Sequence, residues 1–289
     1  MEIFELRYFL GVAAQENIHR ASEKLNVSPA SLSKAISRLE GQLAVKLFSR
    51  DGRNIKLTDH GRLLQKRASE IIQLEESASL ELSGHLGTIQ VVIAGPEILL
   101  SQMGIELTQQ ILKKYPLAKF DYIAADDEAA VDLVTRGQAH LAIITDDTLA
   151  DSDFSIKTIG KTNFQTFVGA GHPLYAAAKA KKEIAVEEVL KHSFVSPSNP
   201  LLGKVGAKQS LDGWRDDKFP RNVIFHTSSL KMLEQLLTGG LAVAYLPDYF
   251  AERLKVEVVK VVGCPYSCQQ KIKLVSRNTK SIGWLNQIF

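Results

Sequence analysis

The chain has few cysteines and no long apolar run. Its 289 residues include two cysteines, Cys264 and Cys268, which are too few for a disulfide framework and favour a reducing compartment. No apolar stretch approaches the about 18 residues that would span a bilayer, and Met1–Glu5 lacks the basic and apolar regions of a secretory signal. These absences predict a cytoplasmic protein.

Glycine, proline and charge of one sign are also not enriched. The 19 glycines and 9 prolines exclude collagen-like and low-complexity chains, and a hydrophobic content of 45% is enough to build buried cores. The length predicts about two domains. Because the net charge is only +3, composition by itself does not indicate a nucleic-acid partner.

Positive charge is nevertheless concentrated near the N-terminus. Between Asn17 and Lys56 there are eight basic and three acidic residues, an excess larger than that of the whole chain. Such a segment is the electrostatic footprint of phosphate binding, and the alternative is an ordinary solvated face.

The same segment has the pattern of a helix-turn-helix. Asn17 caps a predicted second helix, Ser28 caps a third, and Pro29 occupies the first position of the third helix. Four apolar residues of the third helix are spaced to face the core: Leu32, Ile36, Leu39 and Leu43. Its opposite face carries hydroxyls and cations, which suits a recognition helix in the major groove. The alternative is a three-helix cap on a larger protein.

A short hairpin, or wing, is predicted after the third helix. Asp51-Gly52 lies between two short apolar pieces, which is a hairpin signal. Arg50, Arg53 and Lys56 on this wing would contact the sugar–phosphate backbone. The predicted DNA contacts of the helix and the wing are Ser28, Pro29, Ser31, Leu32, Ser33, Lys34, Ser37, Arg38, Arg50, Arg53 and Lys56.

The order and spacing of these residues resemble the winged helix-turn-helix of LysR-type transcriptional regulators. The matching positions are Ala21, Leu25, Val27, Ser28, Leu32, Ser33, Lys34, Ile36, Leu39, Glu40, Leu43, Leu47, Phe48, Arg50, Leu57, Thr58 and Gly61. Ser22 and Ala44 stand where that family commonly has Ala and Gly, and we interpret both as packing changes. Pro29 replaces a base-reading amide, which leaves the operator sequence open.

A long amphipathic helix is predicted from Asp59 to about Leu86, capped by Thr58. One face carries a narrow apolar stripe, Leu64, Ile71, Leu74, Ala78 and Leu82, whose first four residues are the predicted seam with a second copy of the helix. The alternative is a helix that packs on its own domain. The resemblance implies a dimerising linker helix and a homodimer or homotetramer.

From Thr88 onward, β-rich runs alternate with helical ones, which predicts an α/β domain with parallel strands. Motifs at Leu133–Ile143, Gly171–Leu174 and Gly239–Pro247 are similar to the effector-binding half of the same family. The resemblance implies a two-lobed, periplasmic-binding-protein-like fold. His140, where the family commonly has Asp, is interpreted as a surface change.

These predictions divide the chain into a winged helix-turn-helix domain of the α+β class, a linker helix and an α/β effector domain. The expected bounds are 1–58, 59–87 and 88–289, with lobe I at 88–161 and 268–289 and lobe II at 162–267. The chain should cross between the lobes near Gly160–Phe164 and Ser267–Lys271.

An effector would bind between the lobes, at the carboxyl ends of strands. The predicted effector residues are Gly95, Pro96, Glu97, Asp126, Thr145, Ser196, Ser198, Thr227 and Ser228. Hydroxyls and N–H groups at 227–229 suit an anion, whereas Glu97, Asp126 and Asp127 suit an amine. A small carboxylate or an amino acid reconciles the two, although the acids also fit helix caps and the absence of an effector stays open.

Other classes of protein are less consistent with the chain. No zinc motif or phosphate loop occurs, and we predict no catalytic residue, metal or cofactor. Cys264 and Cys268 suit a redox pair, half of a metal site or ordinary packing. The alternatives are a cytoplasmic small-molecule-binding protein, or an enzyme with an N-terminal helical cap. We expect a sequence-specific transcriptional regulator of bacterial type, which binds a double-stranded operator with interrupted dyad symmetry.

Overall fold

Three helices and a two-stranded hairpin form the N-terminal part of the chain. The computed structural model describes residues 1–51, 54–82, 88–145, 149, 154–204, 210–277 and 285. The first elements are α1 (Ile3–Gln15), α2 (Ile18–Leu25), α3 (Pro29–Leu43), β1 (Phe48–Asp51) and β2 (Asn54–Leu57). Their apolar faces share one core, which includes Leu6, Phe9, Val12, Ala21, Leu32, Leu39 and Leu47. The winged helix-turn-helix is confirmed.

The predicted caps hold the ends of these helices. The Asn17 side chain accepts a hydrogen bond from the Arg20 N–H at 3.1 Å, and Ser28 Oγ accepts one from the Ser31 N–H at 3.1 Å. These bonds satisfy backbone donors that have no partner within the helix. The starts of α2 and α3 were therefore predicted correctly.

Two predictions about α3 need correction. Leu43, expected in the core, is 38% exposed because it is the last helical residue and projects beyond the packed helices, while Ala35 is buried at 7%. Ala44 is more than a packing change, since it has a φ of +54° in the left-handed region. That conformation favours glycine, which has no Cβ.

The wing forms where the sequence predicts it. Strands β1 and β2 pair antiparallel, with Phe48 opposite Leu57. Glu40 of α3 holds the entry to β1, because its carboxylate accepts from the Leu47 N–H at 2.9 Å and from Lys46 Nζ at 2.6 Å. Burial by itself would raise the pKa of Glu40, but these hydrogen bonds lower it below its ordinary value.

A long helix, α4 (Asp59–Leu82), follows the wing. Thr58 Oγ1 caps it by accepting from the Gly61 N–H at 3.0 Å. The expected end at Leu86 lies outside the described residues. The predicted stripe does not form one free seam, because Leu64 and Ile71 pack partly on the winged domain, whereas Leu74 and Ala78 are exposed. The apolar face that stays exposed also includes Leu63 and Leu82.

The opposite side of α4 docks on the C-terminal domain through polar side chains. Four polar side chains on this side, spaced by four residues, are less than 5% exposed: Gln65, Ser69, Gln73 and Ser77. The Arg277 guanidinium donates to Gln73 Oε1 at 2.8 Å and to the Lys66 carbonyl at 3.4 Å. Gly137, with φ +72°, packs so closely that a Cβ there would lie 2.2 Å from Ser69 Oγ.

The C-terminal domain is an α/β unit. Its helices are α5 (Glu97–Leu99), α6 (Ile105–Lys114), α7 (Asp127–Thr135), α8 (Tyr175–Lys179), α9 (Val186–Val189), α10 (Leu230–Thr238) and α11 (Phe250–Arg253). Its strands are β3 (Gln90–Gly95), β4 (Lys119–Ala124), β5 (Leu141–Ile144), β6 (Phe154–Gly169), β7 (Glu183–Ala185), β8 (Ser193–Pro197), β9 (Asn222–Thr227), β10 (Ala244–Pro247), β11 (Val256–Val262) and β12 (Gln269–Arg277).

Two lobes share the long strand β6. Its first part pairs with β12 from Phe154 to Asn163, beside β5, β3 and β4, and its second part pairs with β10 and β11. The chain therefore passes between the lobes near Asn163 and returns between β11 and β12. The expectation of parallel strands holds for β3 with β4 and β5, for β8 with β9, and for β7 with β11. In contrast, β12 runs antiparallel to β5 and β6, and β6 runs antiparallel to β10 and β11.

Two other differences from the predicted elements are local. The helix expected over about 99–114 is interrupted by a π-helical turn, Leu100–Gly104, between α5 and α6. The run predicted to begin at Leu241 becomes a strand only at Ala244, and Leu241 is 61% exposed. Among the described residues, no helix is both long and apolar enough to cross a membrane.

Replacing Ala44 with Gly should stabilise the winged domain. The left-handed conformation of Ala44 disfavours a residue with a Cβ by about 1–2 kcal/mol, and the greater chain entropy of unfolded glycine offsets part of that gain. We expect the free energy of unfolding to rise by about 0.5–1 kcal/mol, measured by chemical denaturation. Ala30→Gly, at an exposed position of α3, is the matched control and should lower stability. A lower free energy of unfolding for Ala44→Gly than for the wild type would contradict the strained left-handed conformation of Ala44.

Candidate DNA interface and effector cleft

One face of α3 is free to enter a groove of DNA. The side chains that the sequence predicts on this face are all exposed: Ser31, Ser33, Lys34, Ser37 and Arg38. Leu32 is the exception to the predicted set, because it is fully buried at 0% in the domain core. Leu32 packs α3 against the domain core and is not part of the exposed face of the helix.

The start of α3 is held in place before any DNA binds. Ser28 Oγ lies 2.8 Å from Ser31 Oγ in addition to capping the helix, and Pro29 is half-buried beside it. These contacts restrict the rotamers of the first turn. Short side chains at this end allow the helix to approach base edges closely.

A buried acid orients one of the predicted DNA-binding cations. Glu5 of α1 is 0% exposed, and its Oε1 lies 3.2 Å from Nε of Arg38, whose side chain is 57% exposed. The other oxygen of Glu5 accepts from the Glu2 N–H at 2.9 Å. The sequence analysis missed this contact, although Glu5 is an acid among the apolar residues of α1.

The wing adds cations beside α3. Arg50 on β1 and Lys56 on β2 are exposed, whereas Arg53 lies outside the described residues. Since these side chains extend the cationic surface of Lys34 and Arg38, the helix and the wing together present the charge expected of a phosphate-binding surface.

Two adjoining cavities lie between the lobes of the C-terminal domain. One has a volume of about 250 Å³ and the other of about 420 Å³, and both include Asp126 and Pro200 in their walls. Four of the predicted effector residues line the smaller cavity: Pro96, Glu97, Asp126 and Ser228. The rest of its lining consists of Ala124, Ala125, Asn199, Pro200 and Leu201, of which Ala124, Pro200 and Leu201 were not predicted.

The other predicted effector residues support the cleft or lie outside its lining. Gly95 packs against the Ile143 carbonyl, which a Cβ would approach to 2.3 Å. Thr145, Ser196 and Thr227 are buried, and Ser198 is exposed. Asp126 also caps α7, since its Oδ1 accepts from the Ala129 N–H at 2.8 Å.

A buried hydrogen-bond cluster joins the two lobes at this cleft. Asp127 Oδ2 accepts from Thr145 Oγ1 at 2.8 Å and from the Lys204 N–H at 3.0 Å. The Gln270 amide donates to the carbonyls of Leu202 at 3.1 Å and Lys204 at 3.0 Å. Lobe I thus holds the segment 202–204 of lobe II, a long-range pairing that the sequence analysis did not predict.

His140 is not the surface residue that the sequence predicts. Its Nδ1 accepts a hydrogen bond from the Val92 N–H at 2.9 Å. Burial, together with the positive charge of Arg277, lowers the pKa of His140 to about 4. A neutral imidazole therefore lies beside the arginine on which α4 docks.

The fold and the two sites define a class of protein. A winged helix-turn-helix with a cationic helix face, joined by one helix to a two-lobed domain with a central cleft, is a DNA-binding protein with a ligand-binding domain. The family model described as "Bacterial regulatory helix-turn-helix protein, lysR family" matches residues 3–62, and the "LysR substrate binding domain" matches residues 88–282. The chain belongs to the LysR family of transcriptional regulators.

Relatives in sequence are also regulators. The chain is 29% identical over 266 residues to the transcriptional dual regulator GltC of Bacillus subtilis, covering 90% of this chain and 86% of GltC. It is 31% identical over 155 residues to the HTH-type transcriptional regulator BsdA of the same organism, covering 53% of each chain.

Solved structures of similar fold span the whole chain. A full-length OxyR variant from Pseudomonas aeruginosa has a TM-score of 0.68 at 20% identity and covers 100% of this chain and 92% of its own. LysG from Corynebacterium glutamicum, solved with bound effector Arg, has a TM-score of 0.63 at 18% identity, with 100% and 96% covered. CbnR in complex with its target DNA has a TM-score of 0.58 at 18% identity, with 100% and 97% covered.

Proposed function

We propose that this regulator binds an operator as a dimer through α3 and the wing, and that a small molecule in the interlobe cleft changes that binding. The observation that carries the proposal is the exposed cationic face of α3 on a domain whose core is complete without it. We assign residues 1–58 to DNA binding, 59–87 to the linker and 88–289 to effector sensing. Within the effector domain, lobe I comprises 88–161 and 268–289, and lobe II comprises 162–267.

The helix and the wing have different tasks in this proposal. Ser31, Ser33 and Ser37 approach base edges, with Ser28 and Pro29 at the entry of the helix. Lys34, Arg38, Arg50, Arg53 and Lys56 contact phosphates, which contribute affinity and salt dependence but little sequence information. No catalytic step is assigned to the chain.

The linker supports assembly into a dimer. Leu74 is 43% exposed and Leu82 is 90% exposed, on the same face of α4 as the exposed Leu63 and Ala78. Because the other side of α4 is already covered by the winged domain and lobe I, this face is the one left for a second copy of the helix. A dimer presents two heads to an operator with two half-sites.

The cleft suits a small zwitterion such as an amino acid. Glu97 and Asp126 place carboxylates on the wall of the smaller cavity, where they favour an ammonium group, while Ser228 and Asn199 bring a hydroxyl and an amide for a carboxylate. A volume of about 250 Å³ restricts the ligand to a small molecule.

Arg50→Ala and Ser33→Leu should affect DNA binding differently. Arg50→Ala should weaken binding to operator and random DNA alike and lower the salt slope by about one unit, because one phosphate contact is lost. Ser33→Leu should reduce operator preference more than non-specific affinity, because a bulky side chain blocks base edges. Fluorescence anisotropy at several salt concentrations measures both, with the exposed Lys179→Ala as control. Equal losses on both DNAs for Ser33→Leu would contradict its assignment.

Leu74→Glu should break the dimer. The substitution places an unpaired charge in the proposed apolar seam, and the two-fold arrangement repeats it. Light scattering of the full chain should show the mass of one chain, and operator affinity should fall because the heads are no longer linked. Ser79→Glu, an exposed position away from the seam, is the matched control and should keep the dimer. An unchanged mass for Leu74→Glu would reject the seam.

Ser228→Glu should abolish effector binding in the cleft. A third carboxylate there repels the carboxylate of an amino acid, while Ser198→Glu places the same charge outside the lining. Thermal shifts with a panel of amino acids and small carboxylates measure binding, and a ligand at one hundred times its Kd stabilises the native state by about 2.7 kcal/mol. A ligand that stabilises wild type and Ser228→Glu equally would place the effector elsewhere. No stabilisation by any amino acid would reject the zwitterion assignment.

A further inference from the structure

A separate cavity of about 300 Å³ opens within lobe II. It lies between the sheet formed by β6, β10 and β11 and the segment 213–215, and it reaches residues 264–267 of the return crossing. None of its described lining residues belongs to the two cavities of the interlobe cleft. The proposal below concerns this lobe II cavity and does not depend on the cleft.

The walls of the lobe II cavity are aromatic and tightly packed. Tyr245, Thr166 and Val259 lie side by side on three adjacent strands. The ring of Tyr245 is 5.1 Å from that of Trp214 and 5.6 Å from that of Phe164, measured between centroids. Planar rings of this kind bind flat apolar ligands by stacking and edge contacts.

A buried ion pair fixes the segment that carries Trp214. Arg221, whose side chain is 0% exposed, bonds Asp212 at 2.7 Å and Asp216 at 2.8 Å, and its guanidinium lies 5.2 Å from the Trp214 ring. Trp214 Nε1 donates to the Phe219 carbonyl at 2.8 Å. The aromatic wall is therefore rigid before a ligand arrives, which lowers the entropic cost of binding.

The side chain of Thr166 supplies a hydroxyl to the lobe II cavity. Thr166 is 4% exposed, lines the cavity, and makes no side-chain hydrogen bond to any residue within the described ranges. Because Thr166 lines the cavity, its hydroxyl can donate a hydrogen bond to a polar atom of a ligand there or accept one from it. This group gives the cavity a specific polar contact among its apolar walls.

The charged residues of the cavity lining are cations. Arg215 stacks on the Tyr266 ring at 4.5 Å, and Lys260 lies on β11 at the other side. Their carboxylate partners, Asp217 and Glu183, are not part of the described lining. A ligand with a negative group is therefore favoured over one with an ammonium group.

We infer that the lobe II cavity is a second small-molecule site, which binds a planar aromatic acid. The ring lies against Trp214, Tyr245 and Phe164, the carboxylate faces Arg215, and the Thr166 hydroxyl hydrogen-bonds a polar atom of the ring. Phe164 and Ser267 of the lining stand at the two crossings between the lobes, so the occupied site touches both connecting segments.

Calorimetry on the full chain tests this site with three matched probes: indole-3-carboxylate, indole-3-carboxamide and tryptamine. The acid should bind, the amide should bind more weakly, and the amine should not bind. Thr166→Val keeps the shape of the side chain and removes the hydroxyl, and Arg215→Gln removes the charge. Each should weaken binding of the acid about tenfold, the effect of losing one such hydrogen bond.

Two control variants separate this site from other sites. Lys218→Gln removes an exposed cation from the same segment outside the lining, and Ser228→Glu alters the interlobe cleft, so neither should change affinity for the acid. Circular dichroism establishes that each variant is folded. Absence of binding by the acid, equal binding of tryptamine, or loss of binding in Ser228→Glu but not in Thr166→Val would overturn the proposal.

Discussion

The docking of α4 on lobe I is the contact on which the arrangement of the whole chain depends. It is made by polar groups, with Arg277 donating to Gln73 and to the Lys66 carbonyl, and with Ser69 packed against Gly137. A buried guanidinium separated from its partners loses several hydrogen bonds at once, so this contact is made or broken as a unit. These directional hydrogen bonds hold the linker helix against lobe I.

One strand, β12, takes part in both contacts that relate the parts of the protein. Near its start, Gln270 holds the carbonyls of Leu202 and Lys204 across the interlobe cleft, and at its end Arg277 holds α4. A strand within a sheet moves as a rigid element, because its neighbours β5 and β6 bond it on both sides. One strand therefore carries both the interlobe contact and the linker contact, although the partners of these contacts are far apart in the sequence.

Local signals predicted local structure well. The caps at Asn17, Ser28 and Thr58, the proline at the start of α3 and the Asp-Gly hairpin each depend on groups within a few residues, and the structure contains all of these elements. The predicted site was less accurate where burial decides the outcome. Leu32, predicted as a DNA contact, has helical spacing toward the core and lies there. Of the predicted effector set, Pro96, Glu97, Asp126 and Ser228 line the described cavities of the cleft.

The sequence by itself determined a cationic helix-turn-helix, a long helix and an α/β second half, because periodicity and caps are properties of neighbouring residues. The two lobes of that half were implied by the resemblance of its motifs to LysR-type regulators. Tertiary structure alone decided which polar residues are buried together. His140 is a neutral group beside Arg277, and on α4 Ser69 packs against Gly137 while Gln73 accepts from Arg277. The physical reason is that a buried polar group needs a hydrogen-bond partner, and folding brings that partner from a distant part of the chain. The local sequence pattern does not predict which residue it will be.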